Sequence, residues 1–101
     1  VLEAEEGRRI VEALGDRKAV ILQNHGFLTV GPSIEAAAWW YVAMDNAAHA
    51  QLLAEAAGRP IVLDPETAKL TYDRVSGPTG GALSFKPLWD WITAAEPDLL
   101  D

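Results

Sequence analysis

The chain has 101 residues, half of them hydrophobic, no cysteine, and a formal net charge of −7 from 15 acids against 8 bases. That length fits one small domain or part of a larger one; the apolar content excludes disorder, and the missing thiols exclude disulfides and thiolate metal sites. The acidic balance repels phosphate backbones, and Arg8, Arg9, Arg17 and Lys18 sit beside acids, so no nucleic-acid partner is expected.

Residues from about 3 to 14 read as a short amphipathic helix, with Leu2, Ile10, Val11 and Leu14 at helical spacing and Gly15-Asp16 as the stop. "AVIL" at 19–22 is a continuous apolar run, the mark of a strand buried on both faces. "FLTV" at 27–30 reads as a second strand, and "NHG" between the two suits a reversal with Gly26 at positive φ. "GPS" at 31–33 ends the strand and offers Ser33 as a helix N-cap. From Ile34 to Ala57 there is no Gly or Pro, which predicts one helix of about 36 Å at 1.5 Å per residue. Its few charges, Glu35, Asp45 and Glu55, predict cover on more than one side. Gly58 and Pro60 stop it.

Asp64 and Pro65 then open a third helix to about Val75, as N-cap and first helical residue. "SGPTGG" at 76–81 reads as a mobile loop. Ser84 is the expected cap of a last helix, with Pro87 in its first turn, Phe85 and Trp89 meeting at i,i+4, and Pro97 as its end. The longest apolar run, Ala36–Met44, has nine residues against the roughly 20 that span a bilayer, so no membrane partner is expected. No signal peptide is visible, and the expected location is cytoplasmic. The chain opens on Val1 and its single Met is Met44, which reads as a piece of something longer. Two strands alone are marginal in water, so the residues predict an incomplete α/β unit.

His25, taken alone, is a turn residue whose ring backbone groups can satisfy; as a ligand it would need two or three companions. His49 follows Asp45 by four residues, which suits an exposed helix pair or an interface contact. No serine stands in a G-x-S-x-G elbow, and "SGPTGG" lacks the lysine of a phosphate loop.

Asn24, His25, Gly26, Gly31, the helix-opening "SIEAAAW" and Gln51–Ala54, with the apolar strands that flank "NHG", carry a resemblance. Over residues 5 to 58 the chain resembles the C-terminal half of the class II aldolase/adducin domain. The tail "GPTGGALSFKPLWDWITAAEPDLLD" is similar to the extension of the adducin-like branch. The resemblance implies that residues 1–101 form the C-terminal portion of one such domain, with 58–101 as a helical extension. It implies an incomplete part of a three-layer α/β/α sandwich. In catalytic members a divalent metal, usually zinc, takes two ligands from an upstream His-x-His and the third from the "NHG" histidine, here His25. There the metal acts as a Lewis acid that stabilises an enediolate.

The chain lacks His-x-His and any upstream acid fit to be the family's base, so by itself it is expected to hold no zinc and to be inactive. The parent is expected to be a lyase, epimerase or decarboxylase acting on a small oxygenated carbon acid or sugar phosphate. The alternative is a non-catalytic adducin-like module that self-associates. Homo-oligomerisation is expected, with Trp39, Trp40, Tyr41, Phe85, Trp89 and Trp91 as the covered residues, unless a missing N-terminal half covers them. Asp45 and His49 are placed on that same surface.

Overall fold

A computed structural model describes residues 4–101; Leu2 and the expected helix start at residue 3 lie outside the described residues. The order is α1 (Ala4–Leu14), β1 (Ala19–Leu22), β2 (Gly26–Thr29), α2 (Ile34–Ala57), α3 (Pro65–Val75) and α4 (Pro78–Ala95), then a 3₁₀ turn over Pro97–Leu100. The chain is mostly helical around a two-stranded antiparallel sheet.

Local chemistry sets most boundaries. Gly15 ends α1 at φ 55°, its N–H donating to the Val11 carbonyl at 2.9 Å. Ser33 caps α2 by accepting from the Ala36 N–H, and Asp64 caps α3 by accepting from Thr67 at its N–H (2.8 Å) and hydroxyl (2.6 Å). Pro65 occupies the start of α3, where its missing N–H costs nothing.

The hairpin pairs Ala19 with Thr29, Val20 with Leu28, Ile21 with Phe27 and Leu22 with Gly26. Opposed residues share a face, so Ala19, Ile21, Phe27 and Thr29 look one way and Val20, Leu22 and Leu28 the other. α2 covers the first face: Phe27 meets the Tyr41 ring edge-on at 5.9 Å, and the Thr29 hydroxyl donates to the Ala37 carbonyl at 2.9 Å. α1 covers the second, with Ile10 and Ala13 beside Val20 and Leu22. α4 packs outside α2.

The last helix corrects the expectation. The loop is Ser76-Gly77 alone, α4 begins at Pro78, Ser84 lies inside it, and Pro87 stands at its centre rather than in its first turn. Packing explains this. A Cβ on Gly81 would lie 3.0 Å from the Ala36 Cβ and 3.1 Å from Trp40, so glycine there lets α4 cross directly over α2. That close crossing outweighs a helix propensity deficit of about 1 kcal/mol per glycine. Ala36 is fully buried, and Trp40 is half-buried beside it with its indole N–H unpartnered.

Elsewhere the molecule is open. Every residue from 51 to 75 except Pro60 is exposed. α3 is tied to the body by Lys18, whose ammonium donates to the Tyr72 hydroxyl at 2.8 Å and lies 4.6 Å from that ring's centroid. The hydrogen bond from Lys18 holds the Tyr72 phenol below its ordinary value.

Candidate functional site

His25 ends a turn that reverses the chain between β1 and β2. Its N–H donates to the Leu22 carbonyl at 3.0 Å, closing a four-residue turn. Gln23 and Asn24 are the central residues, and Asn24 sits at φ 56°, the left-handed conformation a type II turn requires at that place. Asparagine tolerates this region better than other side-chain-bearing residues. Gly26 follows at φ 153°, a positive value as expected. Two special conformations thus bracket the His25 backbone, so two strands hold its Cα while its imidazole stays exposed.

The imidazole lines an open concavity of about 520 Å³ between the tip of the hairpin and α1. Glu6, Arg9 and Ile10 line it from the helix, and Ile21, Leu22 and Gln23 from the sheet. Sequence reasoning missed Glu6 and Arg9. Their signal was present: Glu6, Arg9, Ile10 and Ala13 fall on one stripe of α1, and the stripe faces the hairpin. The concavity therefore joins an imidazole, a carboxylate and a guanidinium over an apolar floor. Such a set can order a small acid, the guanidinium taking its carboxylate and the imidazole a neighbouring oxygen or a metal.

The other expected residues go elsewhere. Asp45 and His49 line a different concavity of about 370 Å³ with Phe27, Ala48, Leu52 and Leu53. Phe85 and Trp89, 6.4 Å apart between centroids, border a third of about 430 Å³ with Ile34 and Lys86. Asp45 and His49 thus do not share a surface with those aromatic residues. Trp40 is turned into the α2–α4 crossing, because α4 starts earlier than expected and covers it. Among the described residues no three of His, Cys, Asp and Glu come together as a metal set.

The family model described as "Class II Aldolase and Adducin N-terminal domain" matches residues 2–52, from α1 to late α2. The chain belongs to the class II aldolase and adducin family. Decarboxylase NovR of Streptomyces niveus is 43% identical over 98% of this chain and 37% of its own length. The 4-hydroxy-3-prenylphenylpyruvate oxygenase/4-hydroxy-3-prenylbenzoate synthase of Streptomyces roseochromogenus is 42% identical over 98% of this chain and 36% of its own. The solved structure of L-fuculose 1-phosphate aldolase from Glaciozyma antarctica superposes with a TM-score of 0.88 at 34% identity, over 95% of this chain and 39% of that one. The chain thus spans somewhat over a third of the length of these relatives. Both Streptomyces proteins align through the tail that sequence reasoning assigned to an adducin-like branch, and both carry enzyme names. The adducin-like assignment of the tail, and the self-association module inferred from it, receive no support. Among the described residues no helix is long and apolar enough to cross a membrane.

Proposed function

We propose that this chain is the C-terminal portion of a class II aldolase-type domain, residues 58–101 being its helical extension, in an enzyme that cleaves a carbon–carbon bond next to a carbonyl group. Decarboxylation of a small oxygenated carbon acid is the favoured reaction. The observation that carries it is the exposed His25 imidazole, held by two strands and facing the Glu6–Arg9 stripe across one concavity. An acid substrate suits Arg9, and the relatives at 42–43% identity bear the names of a decarboxylase and of an enzyme converting a phenylpyruvate to a benzoate. The retro-aldol cleavage of a sugar phosphate, the activity named for the solved structure at 34% identity, is the second reading.

The cofactor proposed for the whole enzyme is a divalent metal, zinc, with His25 as one ligand. The described residues do not fit such an ion by themselves: they bring one imidazole where zinc needs three or four donors. Further donors must come from another part of the domain or from another copy, and the working unit is an assembly of copies.

The test uses the protein that carries this chain, dialysed and analysed for metal, then offered an aromatic 2-oxo acid while carbon dioxide is measured. The expected result is retained zinc and carbon dioxide release, both lost in His25→Ala. Metal and turnover that survive His25→Ala would sink the proposal. Turnover of fuculose 1-phosphate with none of the acid would transfer it to the second reading.

A further inference from the structure

The largest unpartnered apolar region lies far along the chain from His25. Leu52 and Leu53 on the last turns of α2 are 69% and 61% exposed, and the segment that follows displays Ile61 at 100%, Val62 at 86% and Leu63 at 63%. Leu70 of α3 adds another 51%. Three consecutive aliphatic side chains facing water outside any element are rare in a soluble fold. Their backbone is equally unsatisfied, since among the described residues no backbone hydrogen bond involves residues 59–63. Pro60 and Pro65 hold the segment extended from both ends, so little conformational freedom is left to lose when it binds.

We infer that this arm, residues 52–70, is the surface on which a second copy of the chain docks, face to face about a two-fold axis. The inference rests on the proposed assembly of copies and names its contact. Two features select a second copy as occupant. The first is area. From their exposures the six aliphatic residues present roughly 800 Å², which is about what each partner gives to a stable interface. The second is charge. The chain carries −7 in all, so most approaches between two copies are repulsive. From Glu55 to Arg74 there are four acids and three bases, which leaves this region close to neutral. Two copies meeting here bring apolar centre to apolar centre, with both signs of charge on each rim. A two-fold contact needs such a self-complementary patch.

Sedimentation equilibrium at micromolar concentration tests the inference on wild type and on Ile61→Asp/Leu63→Asp. The expected result is an associated wild type and a variant whose dissociation constant is at least about tenfold higher, with helical circular dichroism unchanged. Val62→Cys supplies an independent readout, because the chain has no cysteine of its own. It should form a disulfide-linked dimer on oxidation, which holds even if the double variant folds poorly. An associated wild type with undisturbed association in the double variant and no Val62→Cys dimer would overturn the docking surface and leave the assembly standing. That is also the outcome if another part of the domain covers the arm. A monomeric wild type would overturn both, whereas the metal and turnover assays would be untouched by either result.

Discussion

The α2–α4 crossing and the hairpin tip use small residues to opposite ends. At the crossing, Ala36 is fully buried and Gly81 brings a second helix within 3.0–3.1 Å of where its own Cβ would be. At the tip, Asn24 and Gly26 take positive φ, and the residue between them is exposed. In the first region the missing side chains create contact. In the second, permissive backbones create direction. The fold is therefore held by residues that carry no chemistry, and the histidine that carries chemistry contributes little to holding the fold.

The largest effect that separates the two belongs to Gly81. Gly81→Val would place branched carbons against Ala36 and the Trp40 ring, and Ala36 belongs to the backbone turn that packs closest. Overpacking of this kind costs typically about 1–3 kcal/mol, and about 3 kcal/mol is expected here because backbone must move. Thermal unfolding should show a fall of many degrees, whereas His25→Ala should shift the same curve by less than about 0.5 kcal/mol. Equal losses in the two variants would dissolve the contrast.

The next effect sharpens what the tip requires. Asn24→Ala forces an ordinary side chain into the left-handed region and should cost about 1 kcal/mol. Asn24→Gly removes that strain and should leave stability at or near the wild-type value. Denaturant titration of the three proteins decides it. If alanine and glycine behave alike, the conformation of Asn24 is not what shapes the turn.

These two regions also differ in how far the sequence announces them. The strands, the full span of α2 and the caps Ser33 and Asp64 are legible because each rests on neighbours in the chain: apolar runs, a stretch free of Gly and Pro, an oxygen three residues before an orphan N–H. The start of α4 is not. Gly80, Gly81 and Pro87 read as breakers on local grounds, and only the facing surface of α2 makes a helix there favourable. Glu6 and Arg9 escape notice for a related reason. Their place beside His25 depends on which stripe of α1 meets the sheet, a tertiary fact. Asn24 stands within "NHG", yet local reasoning assigns the special backbone to Gly26 alone, although the chain places one such conformation at each.

The smallest expected effect concerns pH, in the region that neither contact reaches. Asp64 caps α3, and its carboxyl is held below the usual carboxylate range first by the Thr67 hydroxyl and then by the Thr67 N–H. Those bonds favour the ionised form in the folded state. The cap's contribution is therefore complete above the carboxyl's unfolded-state value and is lost as pH falls through the lower, folded one. Because α3 is exposed along its whole length, protonation should fray that helix without opening the α2–α4 crossing. Amide exchange or chemical shifts followed into strong acid should show the first turn of α3, at Thr67 and Ala68, loosening before residues around Ala36 respond. Asp64→Asn keeps an acceptor at the cap but has no proton to gain, so its α3 signals should stay flat over the same range. If α3 in the Asp64→Asn variant loosens in parallel with wild type, other carboxylates set the acid response of this arm.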